Sequence, residues 1–246
     1  MIALIKKEIS KFVSSPVFVV NAGFGLVLFI IVCIVLCINM DGWLAQMTEM
    51  GIEMITAERV MDFLPAIVFG LIFVMSMMTS ITSSMISLEG KSFNILKSLP
   101  VSSMRIILGK VLAAMVVMVP IFLVGDLILF VRFQFSFWQI LIILVSSVIA
   151  PMIAELFGII VNLKFPKMDA KDDVEVVKQS MSSMIAVLVG LAASGVMMSV
   201  LIVSFLIGVS TFNFMGAGLV VCVTILAFLL FYLYERGTSD FSAINV

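Results

Sequence analysis

The sequence contains no histidine, and this absence excludes several common kinds of catalytic site. Histidine-based metal sites, Ser-His-Asp triads and the metalloprotease helix motif all require that side chain. Charged residues are also scarce, because Asp, Glu, Lys and Arg make up 12% of the 246 residues, against about a quarter in soluble domains. We therefore predict no catalytic residue, no metal site and no enzyme activity within this chain.

A phosphate-binding loop and a disulfide framework are absent as well. No GxxxxGK[ST] motif occurs, and the segment Gly208–Gly218 (GVSTFNFMGAG) contains glycine but no lysine. This segment is typical of a tight turn between two helices. The three cysteines, Cys33, Cys37 and Cys222, lie in apolar segments, where a thiol behaves as a small hydrophobic group. We predict that the chain itself binds no cofactor.

Long apolar runs are the most prominent feature of the sequence. Hydrophobic residues make up 63% of the chain, and the mean hydropathy is +1.32. A helix needs about 20 apolar residues to cross a hydrocarbon core of roughly 30 Å, since each residue rises about 1.5 Å. Six runs are long enough, at residues 17–38, 63–86, 106–131, 138–161, 183–208 and 214–234. They predict an all-α polytopic membrane protein with six transmembrane helices, forming a single domain over residues 1–246.

The basic residues are distributed unevenly between the gaps that separate these runs. Twelve of the fourteen lie at the amino terminus, in the second and fourth gaps or in the tail, and they are Lys6, Lys7, Lys11, Lys91, Lys97, Arg105, Lys110, Lys164, Lys167, Lys171, Lys178 and Arg236. The other gaps contain only Arg59 and Arg132. The first gap is acidic, with Asp41, Glu49, Glu53, Glu58 and Asp62. Because Lys and Arg favour cytoplasmic loops, we predict a multi-pass plasma membrane protein with both termini in the cytoplasm.

One of the predicted inner loops, residues 88–104, has an unusual pattern. Phe93, Leu96 and Leu99 follow one another at three-residue spacing, with polar residues between them. This spacing predicts a short interfacial helix, and Pro100 ends it because proline disfavours helical structure in the residue before it. A solvated loop that touches the membrane with a few side chains is an equally good interpretation of the same pattern.

Three stretches in the predicted inner regions form a recognisable combination. The first is SMISLEGKSFNILKSLPVSS, from Ser84 to Ser103. The others are KKEISKFVSSPVFVVNAGFG, from Lys6 to Gly25, and FPKMDAKDDVEVVKQS, from Phe165 to Ser180. Together they resemble the type-2 ATP-binding-cassette permeases of Gram-positive bacteria, whose first cytoplasmic loop is similar to the first stretch. The combination is more specific than any one of the three.

The resemblance implies partners that composition alone does not indicate. Permeases of this family pair with separate ATPase subunits, which bind the ATP and hold short cytoplasmic helices of the permease in grooves. The resemblance implies that the ATPase-coupling residues here are Glu89, Gly90, Lys91, Phe93, Leu96, Lys97 and Leu99. It also makes the second inner loop, residues 162–181, an ATPase contact. Since the likeness covers only the second half of longer members, it implies a second permease half, either a homodimeric copy or another chain.

Polar side chains inside the predicted spans are costly in lipid and are therefore candidates for function. Ser76, Ser80, Ser83 and Ser87 lie within about 40° of one another on a helix, which predicts a hydroxyl stripe along the second span. The stripe serves either helix packing or the transport pathway. Glu155 lies in the fourth span, where an unpaired carboxylate costs about 2.5–3.5 kcal/mol. It either forms a structural pair with a hydroxyl or a loop lysine, or takes part in substrate passage or gating.

The sequence favours one function and leaves two alternatives open. We expect the permease subunit of an exporter, which couples ATP hydrolysis by a separate ATPase subunit to substrate export across the lipid membrane. An ion-coupled secondary transporter would instead use Glu155 and Asp126 as coupling carboxylates. Asp126 is predicted to lie at the outer interface near Arg132. The third alternative is a non-transporting membrane scaffold, and nucleic acid is not expected as a partner.

Overall fold

The described part of the chain is helical along almost its whole length. A computed structural model describes the backbone of residues 1–50 and 54–244, and the side chains of those residues except 47, 48 and 54–57. Glu53, one of the acidic residues of the predicted outer gap, lies outside the described residues. Within them there is no β-strand, and ten α-helices follow one another along the chain.

The ten helices include six long ones and four short ones. They are α1 Ile2–Ser14, α2 Pro16–Glu49, α3 Met54–Met78, α4 Thr82–Met85, α5 Phe93–Ser98, α6 Ser103–Arg132, α7 Phe137–Lys164, α8 Asp173–Gln179, α9 Met181–Ile207 and α10 Thr211–Ala243. A 3₁₀ helix, Ser87–Ser92, lies between α4 and α5. It turns at Gly90, which has a φ of +49° that an L side chain would rarely adopt.

Six segments of the described chain are long and apolar enough to cross a membrane, and they contain α2, α3, α6, α7, α9 and α10. The prediction of an all-α, six-span membrane protein is therefore confirmed. The α3 and α7 segments are central, because 61% and 56% of the residues in their most apolar 18-residue stretches are buried. In the α2, α9 and α10 segments the share is 22%. The three peripheral helices keep most of their apolar side chains for contact with lipid.

The second span is not the continuous helix that its apolar run predicts. Helix α3 ends at Met78, the backbone is non-helical at Thr79 and Ser80, and the chain continues through α4 and the 3₁₀ helix. A single hydroxyl stripe through Ser76 and Ser83 is therefore wrong, since these residues do not share one helix. The break lies inside an apolar run. It is tolerated there because side chains of α7 form hydrogen bonds with the backbone groups that have no partner within the helix.

Helix α10 extends nine residues beyond the predicted end of the sixth span at residue 234, to Ala243. The extension is amphipathic, because Leu233, Gly237 and Phe241 follow one another at four-residue spacing and are all buried. They place the end of α10 beside α5. The apolar run ends earlier than the helix because Glu235 and Arg236 interrupt it on the exposed face.

Candidate functional site

Helix α5 is held against the bundle by its apolar face. Phe93 and Leu96 are buried, with exposed fractions of 0% and 3%, and the ring of Phe93 lies 4.9 Å from that of Phe241. These two side chains therefore contact protein and not lipid. The spacing of Phe93 and Leu96 predicts one apolar face of a short helix, and this face packs on the extension of α10.

Lys97 fixes α5 to the carboxyl end of α10. Its Nζ donates hydrogen bonds to the carbonyl oxygens of Ser242, at 2.9 Å, and of Ile244, at 2.5 Å. These acceptors lie at the end of a helix, where carbonyl groups lack partners within the helix and cations are favoured. Lys97, which the resemblance assigns to ATPase coupling, therefore has a structural contact inside this chain.

The opposite side of α5 is open. Ile95 is 68% exposed and Leu99 is 39% exposed, and Lys91 is exposed as well. A groove of about 560 Å³ separates this side from α1, whose Lys7 and Lys11 form part of the opposite wall. Of the residues predicted to couple to an ATPase, Lys91 and Leu99 are thus available to a partner. Phe93 is buried against α10, and Leu96 is buried at the base of the groove.

A buried ion cluster lies beneath this groove. The Nζ of Lys110, which is completely buried, lies 2.5 Å from Glu89 Oε1 and 2.9 Å from Glu8 Oε2. Lys110 also donates a hydrogen bond to the carbonyl oxygen of Met85 at 3.2 Å. Because Glu8 belongs to α1, Glu89 to the 3₁₀ helix and Lys110 to α6, the cluster joins three elements at one point.

Two further lysines of α1 contact the same carboxylate from the edge of the cluster. Lys7 Nζ lies 3.4 Å from Glu89, and Lys11 Nζ lies 3.1 Å from Glu89 and donates a hydrogen bond to the carbonyl oxygen of Leu88 at 2.7 Å. Burial lowers the pKa of Lys11 below its ordinary value, although the charge of Glu89 opposes that shift. Glu89 is therefore enclosed by ammonium groups and is not itself exposed to a partner.

The sequence prediction identified Glu89 but neither its buried partner Lys110 nor Glu8, the second carboxylate that pairs with Lys110. Lys110 was interpreted only as one of the basic residues that mark an inner loop. A signal was present, because Lys110 lies inside a run of apolar residues of α6, where an ammonium group requires a counter-ion. Nothing in the spacing, however, indicates that the counter-ions are Glu8 and Glu89, 102 and 21 residues away.

Glu155 stabilises the break in the second span. Its carboxylate is fully buried and accepts hydrogen bonds from the backbone N–H groups of Ile81, at 2.9 Å, and Thr82, at 2.8 Å. The Thr82 hydroxyl donates in turn to the carbonyl oxygen of Glu155 at 2.5 Å. These amides begin α4 and have no partner within it. Glu155 therefore pairs with two backbone amides and with the hydroxyl of Thr82, and of the two kinds of predicted partner it is the hydroxyl that the structure places there.

Asn162 has a similar function two helical turns further along α7. Its Oδ1 accepts hydrogen bonds from the backbone N–H groups of Ile86, at 2.7 Å, and Ser87, at 3.2 Å. Its Nδ2 donates to the hydroxyls of Ser87, at 2.7 Å, and Ser182, at 2.9 Å. Sequence reasoning missed Asn162, although a buried amide in an apolar helix requires such partners.

Gly158 lies between these two residues on the same face of α7, and its substitution gives a testable prediction. A Cβ atom at Gly158 would lie 2.1 Å from Ser80 Oγ and 3.0 Å from the backbone nitrogen of Ser83. We expect Gly158→Ala to destabilise the protein by about 1–3 kcal/mol, because the broken segment would have to move away from α7. Thermal unfolding in detergent micelles measures the change.

The matched control is Gly195→Ala in α9, where a Cβ atom meets nothing within 4 Å. This substitution removes the same residue type from a helix interior without a steric conflict. We expect it to be neutral or to stabilise the protein by up to about 1 kcal/mol, through the higher helix propensity of alanine. Equal effects of the two substitutions would show that close packing at Gly158 is not required.

The other predicted pathway residues do not form one continuous surface. Ser80 and Ser83 line a side cavity of about 350 Å³, together with Asn21 of α2 and Ser183 of α9. Ser76 is buried, and its hydroxyl has no hydrogen-bond partner among the described residues. The sequence prediction therefore joined residues that the broken second span separates.

Asp126 is not at the outer interface. It is fully buried, and its Oδ2 accepts a hydrogen bond from the hydroxyl of Ser147 at 2.6 Å. Arg132, the predicted neighbour, forms an ion pair with Asp41 at 2.5 Å instead. Because α7 places Ser147 about 12 Å along its axis from Glu155, the two candidate coupling carboxylates occupy different levels of the bundle.

The six apolar spans define a polytopic helical membrane protein, in which the short helix α5 packs on the carboxyl end of α10. Within the described residues, no three His, Cys, Asp or Glu side chains are grouped so that they could hold a metal ion. Comparisons of the chain with known protein families, with curated proteins and with solved structures found no match. The similarity to type-2 permeases therefore stays a prediction from the three sequence stretches.

Proposed function

We propose that the chain is the permease subunit of an ATP-driven exporter, in which a separate ATPase subunit binds and hydrolyses the ATP. The observation that carries this proposal is the construction of α5. Ile95 is 68% exposed on this short helix, and Lys91 and Leu99 are exposed just before and just after it. Phe93 and Lys97 anchor the same helix to α10. A short helix that is exposed on one side and anchored to the bundle on the other can transmit a movement of the ATPase to the spans.

Contacts of α5 and of the residues next to it connect this region to the spans, so a movement of α5 would be transmitted to them. The ion pair between Glu89 and Lys110 connects the coupling segment to α6, and Lys97 connects α5 to α10. Glu155 and Asn162 connect the broken part of the second span to α7. Movement of α5 would shift these helices together, and the bundle would alternate between arrangements open to opposite sides of the membrane. A second permease half, from a second copy or another chain, would complete the pathway.

Replacing Ile95 by Asp tests the contact with the ATPase. The tagged protein is isolated from its native membranes, and the ATPase is identified by its phosphate-binding loop sequence and by ATP hydrolysis. We expect Ile95→Asp to reduce ATPase capture by about tenfold or more, because a charge in a desolvated contact costs about 2 kcal/mol or more. Phe93 and Leu96 are unsuitable for this purpose, since both are buried and their replacement by Asp would disturb the fold.

Ile207→Asp is the matched control, because Ile207 is 73% exposed and lies at the opposite end of the bundle. It should leave ATPase capture unchanged. Equal capture by wild-type protein and Ile95→Asp would contradict the proposed contact. A wild-type protein that captures no ATPase, yet transports in vesicles without ATP, would contradict the exporter assignment itself.

A second candidate, an ion-coupled transporter, is favoured by one observation. Asp126 Oδ1 is buried and has no hydrogen-bond partner among the described residues, so this carboxyl group has capacity for a proton or an ion. Transport that follows an imposed pH gradient in the absence of ATP, and that is lost in Asp126→Asn, would favour this candidate over an exporter.

A further inference from the structure

Helices α9 and α10 diverge from one another although only Gly208, Val209 and Ser210 join them. Both helices pack on α3 and α7, but they hardly contact each other. Between them lies a groove of about 660 Å³, which the bundle closes on one side with Phe69 and Phe73 of α3. A Cβ atom at Gly218 would lie 2.7 Å from the ring of Phe69, so the floor of the groove already touches the backbone of α10.

The walls of the groove are apolar and face the membrane. The α9 wall contains Ala193, Val196, Met197 and Val200, and the α10 wall contains Val221 and Ile225. Val196, Val200 and Val221 are 65%, 50% and 56% exposed, so the groove is open toward lipid along its length. From Ala193 to Ser204 the wall extends about 16 Å, which matches the acyl region of one leaflet, half of a core of about 30 Å.

The polar end of the groove is at the α9–α10 turn. Asn213 and Val209 line this end. Arg59 of α3 is near it, because its guanidinium donates a hydrogen bond to the carbonyl oxygen of Phe205 and lies 5.1 Å from the Phe205 ring. A Cβ atom at Gly208 would lie 3.1 Å from the same guanidinium. The groove thus has an apolar body one leaflet deep and an exposed cation at its mouth. This arrangement complements an amphiphile with an anionic head.

We propose that this groove binds one phospholipid from the leaflet on the side of the α9–α10 turn, with an acyl chain along the walls and an anionic head group at Arg59. The dimensions favour a lipid over a helix of a second copy. The volume and length of the groove give a mean cross-section of about 40 Å², roughly half that of a helix about 10 Å across. The proposal is independent of the ATPase, since no residue of the groove belongs to the coupling site.

Two adjacent valines of α10 allow a matched test. Val221 lines the groove, whereas Val220 is 66% exposed and does not. The full-length protein is purified from nanodiscs of phosphatidylglycerol, transferred to detergent, and its retained lipid is counted by native mass spectrometry. We expect Val221→Phe to retain about tenfold less lipid than wild type, since the ring would exclude roughly two buried methylene groups. Val220→Phe should retain as much lipid as wild type.

A second pair on the facing helix keeps the test decisive if one variant folds poorly. Val200→Phe should lose the retained lipid, and Val203→Phe should keep it, because Val200 lines the groove and the equally exposed Val203 does not. Nanodiscs of phosphatidylcholine and the Arg59→Gln variant test the head group, and each should lower lipid retention. Equal lipid retention by the two variants of each valine pair would overturn the proposal. A Val221→Phe variant that loses a dimer but keeps its lipid would overturn it as well.

Discussion

Substituting Met for Lys110 is expected to destabilise the protein by about 3–5 kcal/mol, because the carboxylates of Glu8 and Glu89 would stay buried without the ammonium group between them. Both carboxylates lie within 3 Å of Lys110 Nζ. Lys7 and Lys11 would compensate Glu89 only in part, since their ammonium groups contact it from partly exposed positions. The substitution conserves most of the length of the side chain, so the loss reports mainly on charge.

Unfolding in detergent micelles, followed by helical circular dichroism during heating or denaturant titration, measures this change. Lys91→Met is the matched control, because Lys91 is exposed and belongs to the segment that Lys110 anchors. The control should change the free energy of unfolding by no more than about 0.5 kcal/mol. Equal stabilities of the two variants would show that the buried cluster contributes little.

A triple variant separates the charge from the packing. In Glu8→Leu, Lys110→Met and Glu89→Leu combined, no buried charge is left without a partner. We expect this variant to recover most of the stability that Lys110→Met loses, because apolar replacement of a whole buried ion cluster is often neutral. A triple variant as unstable as Lys110→Met would contradict this explanation and indicate that the hydrogen bond to the Met85 carbonyl is decisive.

Substituting Ala for Glu155 is expected to cost about 2–6 kcal/mol, because two buried backbone amides would each lose their acceptor at about 1–3 kcal/mol. The amides are those of Ile81 and Thr82. Glu155→Gln keeps one acceptor oxygen, so its cost should be intermediate between those of wild type and Glu155→Ala.

The same unfolding measurement serves for Glu155, with Glu235→Ala as the control, since Glu235 is an exposed glutamate of α10. A local readout is the labelling of a cysteine introduced in place of buried Ser83, whose segment is held to α7 by Glu155. Labelling should be faster in Glu155→Ala than in the wild-type background. If the two rates are equal while the protein is folded, Glu155 does not hold the break in place.

Helix α5 illustrates how far the residues of this region could be predicted. The spacing of Phe93 and Leu96 correctly indicated a short helix with one apolar face, whereas Leu99 follows the end of the helix and is 39% exposed. It could not indicate which surface that face contacts, because lipid and protein interior favour the same apolar side chains. Covering Phe93 required Phe241, a residue 148 positions later, and only the extension of α10 brings the two rings together.

The buried acidic residues show a different limit. The sequence singled out Glu155 because a carboxylate in an apolar run is costly, and the structure agrees that it has partners. Two of those partners are backbone amides, which every residue except proline carries, so no pattern of side chains could identify them. Asp126 was predicted at the interface from its distance to Arg132 along the chain, but the helix directs it toward Ser147 and away from water.

The sequence by itself determined that the protein is helical, that it has six spans and approximately where each span lies. The reason is that the bilayer acts on each segment separately: a run of about 20 apolar residues is stable in lipid whatever its neighbours are, and the backbone must satisfy its own hydrogen bonds. Only the tertiary structure decided that the second span breaks after Met78, that Lys110 pairs with Glu8 and Glu89, and that α9 and α10 diverge. These features depend on contacts between residues far apart in the chain, and their energies arise only when the helices are packed together.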